Sequence, residues 1–300
     1  MTAIASAPGK LVLSGEYVVL DGVPAISVAV DRRARAMVKD STDGECHLAT
    51  PGLSGGNRFR IVDAVFGGRP ACDIELDTVA FIDGGRKIGI GSSAALTVAL
   101  VAATARSEDV FVKSLLAHSE MQGGIGSGID VATAVHGGLI EYTMTTRRVR
   151  RLEWPAGLVM RVLWTGVASS TAAKLEKLEA SDDHPSRAML GGSAETMARA
   201  WGSADAARVL NGYADYIGAL RMFSVDHDLG IFDAGHDELT DAAMHDGLVY
   251  KPAGAGGGDV GVLFGCSDGE LDDFVARRSS LIHGVVPCVT DAEGVRLEQA

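Results

Sequence analysis

The spacing of apolar and polar residues divides the chain into short strands and helices. Residues 10–13 and 25–30 are apolar runs on either side of a turn at Asp21 and Gly22, which predicts two strands. Residues 33–38 alternate charged and apolar positions, as a half-exposed strand does. Residues 41–57 are polar and Gly-rich and read as a loop; 61–66 are weakly apolar and fit either element. An Ala-rich apolar run over 92–105, opened by two Ser residues that can cap, predicts a helix. Further helices are predicted over 110–121 and just after Gly128, followed by strands over 139–144 and 158–164. Beyond them the pattern predicts helices near 171–179 and over 191–226, with a polar loop at 181–185 between them. A helix over 237–245, a strand over 260–264, a helix over 271–278 and a closing strand over 285–290 complete the reading. Strands and helices are mixed rather than strictly alternating, which favours an α+β fold over a doubly wound sheet. A domain boundary is placed within 145–160, giving domains 1–155 and 156–300.

Composition narrows the class. The chain has 300 residues, more than one core comfortably serves, which suits one large domain or two of ordinary size. It is 47 % hydrophobic and 22 % charged, as in water-soluble globular proteins. A formal net charge of -12 argues against nucleic acid or an anionic membrane as partner, while a locally basic pocket for a small anion stays open. Cys46, Cys72, Cys266 and Cys288 form no CxxC pair and read as buried free thiols in a reducing cytoplasm. Neither a signal peptide nor a membrane span is expected from the apolar runs.

The 38 Gly residues are clustered, and the clusters carry the chemistry. Gly89-Ile90-Gly91-Ser92-Ser93-Ala94-Ala95 lies immediately before the Ala-rich helix. Its glycines let the backbone turn and approach a ligand, its serines supply hydroxyls, and the helix start supplies free N–H groups at the positive end of the dipole. Together these make an anion site. A Gly-rich turn with a Ser cap is the plain alternative, and the segment is neither a Walker A motif nor GxGxxG.

Three other segments change that balance: Pro8-Gly9-Lys10-Leu11-Val12-Leu13-Ser14-Gly15-Glu16-Tyr17, Gly126-Ser127-Gly128-Ile129-Asp130, and Lys251-Pro252-Ala253-Gly254-Ala255-Gly256-Gly257-Gly258-Asp259. Together with the phosphate loop they resemble, in order and content, the motifs of the GHMP kinases, from Ala5 to about Phe264. The resemblance implies a two-domain fold, with an N-terminal domain like ribosomal protein S5 domain 2 and a ferredoxin-like C-terminal domain. It implies ATP and Mg²⁺ as cofactors. Within the family the phosphomevalonate kinase branch is most similar and mevalonate kinase next. Gln122-Gly123-Gly124-Ile125-Gly126-Ser127-Gly128-Ile129-Asp130-Val131 matches that branch, as does Trp164-Thr165-Gly166 followed by Ser169, Ser170 and Thr171. Ala253 departs from it, replacing a residue that usually carries a hydroxyl. The glutamate that binds magnesium in mevalonate kinases aligns with His118, with Glu120 close by.

The resemblance assigns roles residue by residue. Lys10 and Asp130 are the expected catalytic pair. Lys87, Gly89, Gly91, Ser92, Ser93 and Ala94 are expected on ATP, with Ser93 also on the metal. Glu16, Gly126, Ser127, Gly128, Ser169, Ser170, Thr171, Lys251, Gly254, Gly256 and Gly257 are expected on the acceptor. For Glu16 a structural pairing is equally open; for Ser169, Ser170 and Thr171, ordinary helix capping is. The partner expected is a small phosphorylated hydroxy acid, with no nucleic acid and no membrane, and a homodimer is compatible. Arg147, Arg148, Arg150 and Arg151 read as a solvated strand or turn. Asp226, His227, Asp228, Asp233, His236 and Asp237 read as loop and cap residues, since their spacing gives no metal-ligand set.

Overall fold

A computed structural model describes residues 2–53, 59–104, 109–182 and 184–299. Residues 54–57 of the predicted 41–57 loop, Ala105 and Asp183 lie outside the described residues. The chain forms two compact units. One holds the chain up to Leu11, Val28–Ile140 and the segment from Val289 onward; the other holds Val12–Ser27 and Glu141–Cys288. They are not the contiguous halves 1–155 and 156–300 that the local pattern suggests. The difference comes from sheet pairing between segments far apart in sequence, which local periodicity does not register.

In chain order the elements wholly or mostly in the first unit are β1 (Thr2–Ser14), β2 (Ala25–Asp40), β3 (His47–Ala49), α1 (Arg60–Phe66), β4 (Cys72–Asp77), β5 (Ile82–Asp83), β6 (Arg86–Lys87), α2 (Ser92–Thr104), α3 (Val110–Met121) and α4 (Ile129–His136). Strands β1 and β2 are longer than predicted: the runs at 25–30 and 33–38 are one strand. The chain leaves this unit through β7 (Leu139–Thr143), which pairs with β2. The second unit holds β8 (Arg148–Leu152), β9 (Val159–Trp164), α5 (Thr171–Glu179), α6 (Pro185–Gly202), α7 (Ala206–Asp226), α8 (His236–His245), β10 (Val249–Pro252), β11 (Val260–Gly265), α9 (Asp268–Arg277) and β12 (Gly284–Val286). The closing strand β13 (Arg296–Glu298) returns to the first unit.

The sheet of the first unit runs in the order β13-β1-β2-β4-β3. Strand β13 is antiparallel to β1, with Ile4 opposite Glu298, and β4 is antiparallel to β2, with Arg35 opposite Asp77. Helix α2 is its core: every residue from Ala94 through Ala102 is buried, as suits a helix apolar all round. Helices α3 and α4 pack against it. The segment before β13 is pinned by Arg33, whose guanidinium pairs with Asp291 and donates to Ser6 O at 3.0 Å and Gly294 O at 2.7 Å. That segment runs beside the C-terminal end of α4, where Val295 N donates to Val135 O at 3.2 Å.

The second unit is built on an antiparallel sheet in the order β10-β11-β9-β12. Alternation along β11 supplies both faces. Leu263 packs with Leu239 and Ala243 of α8 and Leu271 and Phe274 of α9. Phe264, pointing the other way, stacks on Tyr213 of α7 at 5.4 Å and meets Trp201 of α6 at 5.9 Å. The single helix predicted over 191–226 is two helices. Ala204 takes a positive φ between them, and Asp205 caps α7 by accepting from Ala207 N and Arg208 N. The four Cys are unbonded but not buried as expected, for Cys266 is exposed and the others are half-buried. Among the described residues no helix is long and apolar enough to cross a membrane.

Candidate active site

The phosphate loop sits in the first unit between β6 and α2. Gly89 and Gly91 both take positive φ, 89° and 85°, where a side chain is strained. Lys10 N on β1 donates to Ile90 O at 2.9 Å, which ties the loop to the strand. A Cβ at Gly91 would stand 3.0 Å from Lys10 Cγ and 3.3 Å from its Cε. The stem of Lys10 therefore lies along the loop backbone, with its ammonium one bond beyond Cε. Gly91 also begins the helix: its carbonyl accepts from Ala95 N at 3.1 Å. The N–H groups of Ser92, Ser93 and Ala94 precede that first bond and have no intrahelical acceptor. Free N–H groups at a helix start are suited to an anion such as a phosphate.

Ser93 is exposed at this turn, so its hydroxyl is available to a cation. Among the described residues no group of three or more His, Cys, Asp or Glu is placed to hold a metal. A single hydroxyl fits Mg²⁺, which keeps most of its waters and borrows few protein ligands. Lys87 is exposed on β6, across the β5–β6 ladder from Ile82.

Asp130 lies in the first turn of α4, and Gly128, not Asp130, is the residue before the helix, at φ 76°. One carboxylate oxygen, Oδ1, accepts from Val131 N at 2.9 Å. The other, Oδ2, faces Nδ1 of His118 on α3 at 3.8 Å. Ser127 Oγ accepts from Ile129 N at 3.3 Å, and Gly126, at φ 143°, leaves room for the Gln122 side-chain carbonyl. The expected catalytic pair, the ATP residues and the Gly126–Gly128 turn thus belong to one unit.

The remaining expected residues belong to the second unit. Lys251 is fully buried, and its ammonium pairs with Glu16, which is also buried. The second Glu16 oxygen accepts from Tyr216 OH, whose oxygen accepts from Gly15 N at 2.7 Å. Burial, and then the Glu16 charge, raise the Tyr216 phenol well above its ordinary pKa, so it stays a donor. Two residues expected on the acceptor are therefore engaged with each other. Next to them Tyr17, at the positive φ of 64°, donates its OH to Ala255 O at 2.6 Å and so holds the third glycine loop.

That loop needs its glycines. Gly254, Gly256 and Gly257 take φ of 72°, 67° and 69°. A Cβ at Gly256 would stand 2.5 Å from Ile231 O, and one at Gly257 would strike the Lys174 ammonium. Ser169 Oγ donates to Gly256 O at 2.6 Å; Ser170 caps α5, accepting from Ala173 N at 3.3 Å; Thr171 opens that helix, exposed. Capping and packing are what the structure records for Ser169 and Ser170.

Two residues here escape a reading by motif. Lys174 donates to Leu229 O at 2.6 Å and Gly230 O at 3.1 Å, and burial holds its pKa below the ordinary lysine value. His236 is buried and joins the Gly258 carbonyl, 3.0 Å from Nε2, to Tyr250 OH, 2.8 Å from Nδ1. A carbonyl only accepts, so Nε2 carries the proton and Nδ1 accepts from the phenol. Burial brings this imidazole's pKa down to about 4, so it is neutral at physiological pH. Neither has a sequence signal of its own, since their partners are backbone carbonyls and, for His236, the Tyr250 phenol, all supplied by other segments of the fold.

Free N–H groups at the start of a buried helix, a strand lysine laid along them and a helix-borne aspartate in a mixed α+β frame suit a small-molecule kinase. Comparison with known proteins carries this further. No protein-family model matches the chain. It is 30 % identical to a phosphomevalonate kinase of Streptomyces sp. (strain CL190), over 95 % of this chain and 96 % of that protein. It is 29 % identical to a mevalonate kinase of Archaeoglobus fulgidus, over 99 % of this chain and the whole of that one. In fold it is similar to Streptococcus pneumoniae phosphomevalonate kinase in complex with phosphomevalonate and AMPPNP, with a TM-score of 0.78 and 17 % identity over 94 % of this chain and 98 % of that one. The chain belongs to the GHMP kinase family of phosphotransferases.

Proposed function

We propose that the chain transfers the γ-phosphoryl group of ATP to phosphomevalonate, giving diphosphomevalonate in the mevalonate route to isoprenoids. The observation that carries this reading is the end-to-end similarity to the Streptomyces relative. It is supported by the Gln122–Val131 segment, which matches the phosphomevalonate kinase branch. A cytoplasmic setting fits the unbonded cysteines.

The acceptor in this reading is a phosphate oxygen, already ionised near neutral pH, so positioning and charge neutralisation matter more than a strong base. The N–H groups at the start of α2 hold the donor phosphates. Lys10 neutralises charge building between donor and acceptor, and Asp130 orients the reacting groups and balances that cation. Mg²⁺ when bound supplies further neutralisation of the donor phosphates, with Ser93 the residue to hold it. In the second unit Thr171 and the first turn of α5 offer donors suited to a phosphate.

The test is ADP release with ATP and Mg²⁺ against phosphomevalonate and mevalonate in parallel. Preferential turnover of phosphomevalonate supports the proposal. Preferential turnover of mevalonate supports a mevalonate kinase, the second reading, favoured by the Archaeoglobus relative; there Asp130 would act as general base toward an alcohol. ATP binding without turnover of either, or of any small hydroxy acid, would mark a metabolite-sensing member of the fold.

A further inference from the structure

We propose that His118 is a positioning residue for phosphoryl transfer, holding the Asp130 carboxylate in one orientation through Nδ1–H. The inference rests on Asp130 serving in the transfer site, as read above. Asp130 Oδ1 is already fixed by Val131 N at 2.9 Å, which leaves rotation about that bond free. His118 supplies the second point, since its Nδ1 faces Oδ2 at 3.8 Å. That separation is an ion-pair distance rather than a hydrogen bond, and catalytic contacts of this kind tighten when substrates bind.

The burial of the ring makes a packing role a poor account of it. The His118 side chain is 3 % exposed, and its other nitrogen, Nε2, is buried with no hydrogen-bond partner among the described residues. An apolar side chain of similar volume would fill this place without leaving a polar atom unpaired. A carboxylate oxygen only accepts, so the nitrogen facing Asp130 carries the proton in the productive arrangement. The neighbouring surfaces favour rigidity: α3 and α4 pack on each other and on the buried α2. A ring fixed on α3 therefore fixes a carboxylate on α4.

The experiment compares His118→Asn, His118→Gln and His118→Leu. The Asn amide nitrogen reaches the place of Nδ1, and the Gln amide reaches toward that of Nε2. The expected result is a fall in kcat of about tenfold for Leu and Gln, with KM for ATP and acceptor unchanged and most of the activity kept by Asn. In an Asp130→Ala background, His118→Leu should alter the residual kcat by less than about twofold, because the route of the effect has gone. Equal losses in Asn and Leu, a loss that persists in the Asp130→Ala background, or an effect on KM alone would overturn the proposal. A second readout does not depend on turnover. In the ¹⁵N-histidine NMR spectrum, Asp130→Asn should shift the Nδ1 signal of His118, and an unmoved signal would overturn the pairing. Absence of turnover with either acceptor in the unaltered protein would count against the kinase reading, while the NMR result would still decide the pairing.

Discussion

At φ 85° Gly91 holds a backbone conformation that side chains strain, and a methyl group there would stand 3.0 Å from Lys10 Cγ. Gly91→Ala is expected to cost about 1–2 kcal/mol of stability through the backbone alone. It should lower kcat by roughly tenfold or more, because displacing a catalytic group by a fraction of an ångström has effects of that order. Urea unfolding and steady-state kinetics on the same variant read the two effects separately. Lys10→Ala and Asp130→Ala should keep a native circular dichroism spectrum and lose at least about a hundredfold in turnover, as when electrostatic stabilisation is removed. Near-normal turnover in either would remove it from the mechanism. His236 has a different signature. Its folded-state pKa of about 4 lies below the value near 6.5 of the unfolded chain. Above pH 6.5 both states are neutral and the group is silent. As pH falls from there toward 4 the unfolded state alone takes up the proton, so stability is lost across that window, by an amount of order 3 kcal/mol. A urea midpoint that stays flat from pH 7 to 4, or falls equally in His236→Asn, would contradict the assignment.

Among elements, the contact between the first and third motifs in the second unit is the most sensitive. Lys251 and Glu16 are removed from water, with side chains 0 % and 3 % exposed. Removing one partner leaves the other buried and uncompensated, which costs about 3–5 kcal/mol. Lys251→Met is therefore expected to lower the urea midpoint sharply, and the double variant Glu16→Gln with Lys251→Met to recover most of the loss. A double variant no better than the single one would place the cost in packing rather than charge. Such elements also show what the sequence makes legible. Helices α3 and α5 match their predicted ranges because periodicity and a cap agree at each, Asp109 for α3 and Ser170 for α5. Strands β10 and β13 escape the pattern because each is short, and β4 because its charged residues dilute the apolar ones, leaving Ile74 and Leu76 as its buried positions. The break between α6 and α7 escapes it because Gly202 is followed by only three linker residues, Ser203, Ala204 and Asp205, too few to interrupt the apolar pattern. The phosphate loop was legible because its backbone needs glycine at fixed places. Lys174, His236 and the pairing of His118 with Asp130 were not, since each depends on a contact that only the fold creates.

At the scale of the molecule, the last residues support the helix that bears Asp130. A Cβ at Gly294 would overlap the Val135 carbonyl near the end of α4, and Gly138 N donates to Asp291 O at 2.7 Å. Gly294→Ala is expected to lower the melting temperature by about 5 °C or more, as a clash worth a few kcal/mol does in a chain of this size. It should lower kcat more than KM, since it disturbs α4 and leaves the phosphate loop alone. A variant that melts like the unaltered protein would refute the support.

The pairing of Ile4 with Glu298 and of Ser6 with Arg296 joins β1 to β13, with every other strand and helix between them in sequence. Until β13 has been synthesised, β1 lacks that partner. At ordinary elongation speeds its edge stays open for roughly 15–60 s. The first unit is thus completed only once β13 has been made, whereas every segment of the second has by then been synthesised. An open apolar strand on a nascent chain is a surface for chaperones or for a neighbouring nascent chain. Yield of native protein should therefore respond to elongation rate and chaperone supply more than equilibrium stability alone would suggest.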